Sequence, residues 1–135
     1  MDRYELVDFL RDYIQNKLND DKPHPITEQV VIIVSTGQMI AQLKPPIWNM
    51  LKIIDNGYIK AFVNNDNLEI VNIHPENSFK INLAIGRPDE FFLTGRRPKT
   101  VLVYGINFTA EQMCRIFEFI RMHERKDYCV RFFNR

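Results

Sequence analysis

The sequence predicts an α+β fold, in which an N-terminal and a C-terminal helix pack on one face of an antiparallel β-sheet and a short helix follows the first hairpin. Three observations predict it. Short β-branched and aromatic runs alternate with turn signals such as the Asn-Asn-Asp-Asn run at 64–67, and such short connections favour antiparallel pairing. Both ends of the chain show helical patterns with an apolar stripe. A chain of 135 residues that is 45% hydrophobic suits one domain, residues 1–135.

The N-terminal helix is predicted at residues 1–18, because apolar residues share one broad face and Asp2 and Glu5 lie near its positive end. A hairpin, a short helix and a β-meander follow. The predicted strands are 30–35 and 39–43 in the hairpin, joined by a turn at 36–38, and then 58–63, 68–73, 79–85, 91–94 and 100–104; the short helix is 47–54, after Pro45 and Pro46.

The C-terminal helix is predicted at 109–125. Thr109 can cap its first turn, and Gln112 can reach back to complete a capping box. The spacing i, i+3, i+4, i+7 gives a stripe that should lie on the sheet. Its members are Met113, Ile116, Phe117 and Ile120.

A second stripe of this helix contains Arg115, Phe119 and Met122. It mixes arginine with apolar groups, a combination that is enriched at interfaces. The alternative is that Phe119 and Met122 are core residues beneath the chain end. The extra C-terminal segment, residues 127–135, is too apolar for a free tail, so we expect it to pack as an edge strand or across the two helices.

Composition favours a binding protein. The net charge of +1 indicates no whole-molecule attraction to nucleic acid, and no apolar run approaches the ~20 residues of a membrane span. Cys114 and Cys129 have no metal-ligand spacing and suit reduced thiols in the cytoplasm. The three histidines stand apart, without a nucleophile motif or a Gly-rich phosphate loop. We therefore expect no enzyme activity, catalytic residue, cofactor or metal.

Five segments in this order resemble the profilin family. They are YELVDFL at 4–10, GQMIAQ at 37–42, the short helix with its flanks at 46–57, LTGRRPKTVLVYGI at 93–106 and TAEQ at 109–112. The resemblance implies a profilin-like sheet and a cytoplasmic, cytoskeletal protein that binds monomeric actin and regulates actin polymerisation. By position, the implied actin-binding residues are Lys80, Arg87, Thr109, Glu111, Arg115 and Phe119.

The same resemblance implies two further surfaces. The family's groove for proline-rich peptides falls on Tyr4, Val7, Ile40 and His123, and because two tryptophans of the family are absent, polyproline binding should be weak or absent. Binding of acidic phosphoinositides falls on Arg96, Arg97, Lys99, Arg125 and Lys126.

Alternatives with other partners stay open. Roadblock and longin domains, which act on GTPase or trafficking complexes, also combine a sheet with flanking helices. Helices on both faces of the sheet would favour them over profilin. An RNA-recognition sheet is a third alternative, although its second aromatic motif is missing. On the profilin interpretation we expect a monomer with no nucleic-acid partner and no stable membrane insertion.

Overall fold

The computed structural model describes residues 5–18, 26–54, 59–64, 67–73, 79–105, 107–123 and 129–133. These residues build a six-stranded sheet between helices. In chain order the elements are α1 (Glu5–Leu18), β1 (Ile26–Val34), α2 (Gly37–Ile54), β2 (Ile59–Asn64), β3 (Asn67–Asn72), β4 (Phe79–Gly86), α3 (Glu90–Leu93), β5 (Thr100–Tyr104), α4 (Ala110–Met122) and β6 (Cys129–Phe133).

The sheet is mixed and mostly parallel, with the strand order β2-β3-β4-β1-β5-β6. β1 pairs in parallel with β4 and β5, and β5 pairs in parallel with β6, whereas β2 and β3 form an antiparallel hairpin beside β4. The prediction of an antiparallel sheet is therefore wrong. A parallel pair needs a crossover connection, and α2 begins that connection where the sequence predicted the second strand of a hairpin.

The α2 helix continues through residues that the sequence assigned to a turn, a strand and a proline break. Met39, Leu43 and Ile47 recur at helical spacing, and Leu43 and Ile47 are fully buried. Pro45 and Pro46 lie inside the helix. Burial at about 1.5–3 kcal/mol for each apolar side chain offsets the roughly 3 kcal/mol that each interior proline costs. The apolar period, rather than the prolines, decides the structure here.

The two terminal helices lie on opposite faces of the sheet. Leu10 of α1 and Leu43 of α2 pack with Ile32 of β1 in one core cluster, and Ile116 of α4 packs with Val31 of β1 in the other. The prediction of both helices on one face is therefore wrong. Right-handed crossovers place α2 and α4 on opposite faces, because the connections from β1 and from β5 move in opposite directions along the sheet. α1 packs with α2 and therefore shares its face.

A buried charged cluster joins α1, β1 and the residue before β5. Glu28 is 5% exposed and accepts hydrogen bonds from Lys17 Nζ at 2.6 Å, from Lys99 Nζ at 2.9 Å and from the Tyr13 hydroxyl. Burial alone would raise the pKa of Glu28, but these hydrogen bonds outweigh it and hold the pKa below its usual value. Burial and the adjacent carboxylate together raise the pKa of Tyr13. Glu28 is thus an ionised anchor between α1 and the sheet.

The α4 helix begins at the predicted capping box. The Gln112 N–H donates to Thr109 Oγ1 at 3.1 Å, and the Thr109 N–H donates to Gln112 Oε1 at 2.8 Å. The buried stripe differs from the prediction, since Ile116 and Phe119 are buried whereas Phe117 is 51% exposed. Phe119 therefore belongs to the core, and Phe117 faces outward beside β6.

β6 lies at one edge of the sheet and pairs with β5 along its whole length. On one face, the Phe133 ring centroid is 5.9 Å from that of Phe9 in α1. On the other face, the Phe132 ring centroid is 6.2 Å from that of Phe117 in α4. The described part of the C-terminal segment is therefore a strand of the sheet that contacts a helix on each side.

Candidate functional site

The carboxyl ends of parallel strands are where ligands bind in open sheets with helices on both faces, at the point where successive connections diverge. That point lies between β1 and β5. A Cβ atom on Gly105, just after β5, would lie 3.0 Å from Ser35 Oγ and 3.1 Å from Met39 Cε, so side chains fill this crevice. Residues 35–39 and 105–109 also include no lysine and no carboxylate. The phosphate-loop lysine and the metal-binding carboxylate of a P-loop ATP site are therefore absent from these two segments.

A cleft lies at the other end of the parallel strands, next to the turn that leads into the first residue of β5. Because α4 runs back along β5, its C-terminal half returns to the turn that precedes β5. The cleft between them has a volume of about 630 Å³, within the range of about 300–1,000 Å³ for small-ligand sites. We call it the arginine cleft, and its lining residues are Leu93, Thr94, Gly95, Arg96, Arg97, Arg115, Glu118, Phe119, Met122 and His123.

The turn that forms one wall is fixed at several points. Arg96 Nε donates to the Phe92 carbonyl oxygen at 2.5 Å, and its guanidinium lies 4.3 Å from the centroid of the Phe92 ring. Burial lowers the pKa of Arg96, but a guanidinium stays charged at neutral pH. The Arg97 N–H donates to Gln29 Oε1 of β1 at 2.8 Å, and Gly95 has a φ of 78° that favours glycine. Contacts within the protein therefore hold this wall in place.

The α4 wall combines a cation with apolar groups. Arg115 pairs with Glu111 at 2.8 Å, but both side chains are well exposed, at 41% and 74%, so this ion pair contributes little stability. The His123 ring packs edge-on against Phe119 with centroids 4.8 Å apart, and Met122 is exposed. Arg115 can therefore exchange Glu111 for an anionic ligand at small cost, beside an apolar surface.

The charge of the lining favours an anion. The lining contains three arginines and one carboxylate, that of Glu118. Guanidinium groups bind phosphate oxygens in bidentate geometry, and an aromatic wall with histidine and methionine suits a planar base. Among the described residues, no group of three or more His, Cys, Asp or Glu could hold a metal ion. The chemistry that this lining supports is recognition of a phosphate group joined to a base.

The cleft brings together residues from three predicted sets. Arg96 and Arg97 come from the phosphoinositide set, Arg115 and Phe119 from the actin set, and His123 from the polyproline set. Met122 was predicted only as part of the second stripe of α4. The sequence assigned no site to the remaining lining residues, Leu93, Thr94, Gly95 and Glu118. The turn before β5 lies close to the C-terminal half of α4 because α4 returns along β5. Sequence alone does not give this closeness, because it depends on the order of the strands in the sheet.

The other predicted site residues are dispersed. Lys80 on β4 pairs with Glu69 at 3.2 Å, and Arg87 is exposed at the far end of β4. Thr109 and Glu111 stand at the start of α4, at the end opposite the cleft. Val7 and Ile40 pack against the core cluster on the α1 and α2 face of the sheet. Lys99 donates to Glu28. The remaining three predicted site residues, Tyr4, Arg125 and Lys126, lie outside the described residues.

Comparison with solved structures finds a similar fold in phage large terminases. Over 92% of its length the chain is similar to the large terminase of a thermophilic bacteriophage, with a TM-score of 0.61 and 12% identity, and it covers 29% of that protein. The HK97 bacteriophage large terminase gives a TM-score of 0.57 at 9% identity, over 95% of this chain and 26% of that one. The ATPase domain of the Thermus phage P74-26 large terminase gives 0.53 at 9% identity, over 78% and 47%.

These similarities show the fold. The chain spans less than half of each of these terminase structures. A further structure of the first of these terminases, with a TM-score of 0.55 and 12% identity over 92% of this chain and 29% of that one, was solved in complex with ADP. No protein-family model matches the sequence, and no curated protein matches it.

The comparisons correct the functional interpretation of the sequence. The profilin resemblance is wrong, since the similar structures are large terminases and the sheet is mostly parallel. Actin binding and the roadblock or longin alternative are contradicted on the same ground, as are the actin partner and the cytoskeletal location. The expectations of no enzyme and of no nucleic-acid partner also conflict with neighbours that are terminases and ATPase domains. No described helix has the length and apolar character to cross a membrane.

The error has a local cause. The five segments that resemble profilin carry strand, turn and cap signals that either topology can use. The order of the strands in the sheet distinguishes the two topologies, and these segments do not encode it.

Proposed function

We propose that this chain is a terminase-type ATPase-fold module that binds a single nucleic-acid strand in the arginine cleft. The observation that carries the proposal is the cleft lining, where Arg96, Arg97 and Arg115 surround a surface made by Met122 and His123. The His123 ring is held in place by the buried Phe119 beneath it. The guanidinium groups would bind backbone phosphates, and the His123 ring would stack an unpaired base. The fold shared with large terminases supports a partner of this class.

Single strands suit the cleft better than duplex for a physical reason. In a duplex the base faces are stacked inside the helix, so no base face could stack on the wall of the cleft. An unpaired base can turn toward His123 and Met122 while its phosphate stays on Arg115. Stacking of one base contributes about 1–3 kcal/mol, which duplex DNA would forgo.

On this proposal, ATP hydrolysis would take place in a larger assembly that contains this module. The segments at the carboxyl edge of β1 and β5 supply neither the lysine nor the carboxylate that a P-loop site uses. The chain covers only part of each ATPase it resembles. Hydrolysis would therefore need a lysine and a carboxylate from outside these two segments, with this module contributing the nucleic-acid contact.

Fluorescence anisotropy of a labelled single-stranded oligonucleotide, titrated at several salt concentrations, tests the proposal. With one phosphate on each of three arginines, log K should fall with log salt with a slope of about −2, at 0.7 per phosphate contact. Arg115→Glu should weaken binding about tenfold or more, because a charge-assisted hydrogen bond contributes about 1.5–3 kcal/mol. The same variant should make the salt slope shallower by about 0.7.

Lys60→Glu is the matched control, since it makes the same change of charge on an exposed residue of β2 at the far edge of the sheet. It should leave binding and slope close to those of the wild type. Equal weakening by both variants would show attraction to net charge alone and would remove the cleft from the proposal. Adding ADP to the bound complex asks whether a free nucleotide competes for the same arginines.

A further inference from the structure

An aromatic patch lies where α4 meets the outer edge of the sheet. Phe117 of α4 and Phe132 of β6 are each 51% exposed, and their ring centroids are 6.2 Å apart. About half of the surface of each of these adjacent aromatic side chains is therefore in contact with water, and covering that surface would be favourable. We call these two residues the phenylalanine patch.

The patch is continuous with an open strand edge. β6 pairs with β5 on one side, and in the described residues no strand pairs with its other side. Edge strands are usually protected by lysine, proline or a bulge. The opposite edge strand, β2, carries the exposed Lys60. The charge on β6, Arg131, instead lies 5.6 Å from the centroid of the Phe9 ring on the α1 face, which leaves the α4 face of β6 apolar.

We propose that β6 and the phenylalanine patch form a two-fold interface between two copies of this chain. Antiparallel pairing of β6 with β6 of a second copy would join the two sheets into one. With Phe132 on the two-fold axis, Arg131 stands opposite Phe133 of the second copy on the same face, a cation beside a ring. Phe117 and Phe132 of both copies then form one four-ring cluster on the α4 face.

Register and charge favour a second copy in this arrangement. Centring the pair on Arg131 would place two arginines opposite each other, and like charges in that position are destabilising. A centre between Arg131 and Phe132 would set side chains of different faces opposite each other, which the alternation of the strand does not allow. The register centred on Phe132 avoids both problems. A patch built on its own symmetry axis is complementary to itself.

The size of the edge sets the expected affinity. The 13-residue α4 is about 20 Å long, and a helix, sheet and helix stacked at spacings of about 10 Å make the edge about 25 Å thick. The interface would therefore bury about 500 Å² on each copy, at the low end for a specific complex. We expect a reversible dimer with a dissociation constant on the order of 10 μM.

Sedimentation equilibrium of the full chain over a concentration series tests this. The mass should rise from 16.1 kDa toward twice that value, with the midpoint near 10 μM. Phe132→Glu and, separately, Phe117→Glu should weaken association at least tenfold, since each buries a carboxylate in the apolar four-ring cluster. Ile53→Glu is the matched control, because Ile53 is 82% exposed on α2 away from β6, and it should associate as the wild type does.

Hydrogen exchange separates this interface from any other dimer. In the wild type the backbone amides of β6 should exchange more slowly as concentration rises, and in Phe132→Glu they should not. A wild type that stays at 16.1 kDa up to about 100 μM, roughly tenfold above the expected dissociation constant, overturns the proposal. So does a dimer without added protection of β6, or one that Ile53→Glu weakens as much as Phe132→Glu does.

Discussion

Removing the charge of Glu28 tests the central anchor of the fold. Glu28→Gln keeps the shape of the side chain but converts the hydrogen bonds from Lys17 at 2.6 Å and Lys99 at 2.9 Å into bonds to a neutral group. A hydrogen bond to a charged group contributes about 1.5–3 kcal/mol. Because the lysines stay charged and can still donate to the amide oxygen, each bond loses only about 1 kcal/mol of this when the acceptor becomes neutral. The two lysine bonds therefore lose about 2 kcal/mol together, and the relief of burying a charge reduces this only in part.

A loss of about 2 kcal/mol should lower the melting temperature of a domain of this size by roughly 8 °C. Thermal unfolding followed by circular dichroism measures it. Glu69→Gln is the control, because its ion pair with Lys80 has both side chains about 40% exposed and should contribute well under 1 kcal/mol. Equal shifts for the two variants would refute the reasoning, since they would show that burial of the Glu28 cluster adds nothing.

The stabilisation by Glu28 should also depend on pH. The folded-state pKa of Glu28 lies below its usual value, which is about 4.3 in an unfolded chain. Its stabilisation is therefore fully present above that value and is lost as pH falls through the lower, folded-state pKa. The difference in melting temperature between wild type and Glu28→Gln should be constant near neutral pH and should shrink under acid conditions. A difference that is unchanged in acid would contradict an ionised anchor.

Three further substitutions test packing and capping. Gly86→Ala places a Cβ 2.4 Å from the Phe92 ring, so it should lower the free energy of unfolding by about 1–3 kcal/mol. Because it displaces that ring, it should also weaken oligonucleotide binding. A melting temperature equal to that of the wild type would contradict this prediction. Thr109→Ala removes the cap of α4 and should cost about 0.5–2 kcal/mol in urea unfolding. Ile116→Ala opens a fully buried site and should cost about 2–5 kcal/mol, whereas Ile53→Ala, on an exposed side chain, should leave the urea midpoint unchanged.

The sequence predicted elements better than their arrangement. The capping box at Thr109 and Gln112 is a local device, so four residues specify it. The pairing of β1 with β4 joins residues about fifty positions apart, such as Val30 and Leu83, and no local pattern encodes it. One signal pointed to a parallel sheet, since the apolar run 30–34 is buried on both faces, as central parallel strands are. A hairpin strand with one solvated face would alternate instead.

The arginine cleft shows the same limit. Arg96 and Arg97 were recognisable as a basic turn, and Arg115 as an exposed cation on a helix. Their meeting depends on α4 returning along the opposite face of the sheet from α1, which follows from the direction of the crossover from β5 to β6. Side-chain chemistry was therefore readable from sequence, whereas co-location needed topology.

One helix carries both proposals, and its periodicity keeps them apart. Ile116 and Phe119 face the core, Arg115 and Glu118 line the cleft, and Phe117 meets β6. Neighbouring positions on a helix point about 100° apart, so adjacent residues serve different surfaces. Arg115→Glu should therefore weaken oligonucleotide binding without changing the sedimentation behaviour. Phe117→Glu should do the reverse, because the patch stands on the far side of the core stripe from the cleft. Loss of both properties in either variant would mean that nucleic acid and the second copy compete for one surface of α4.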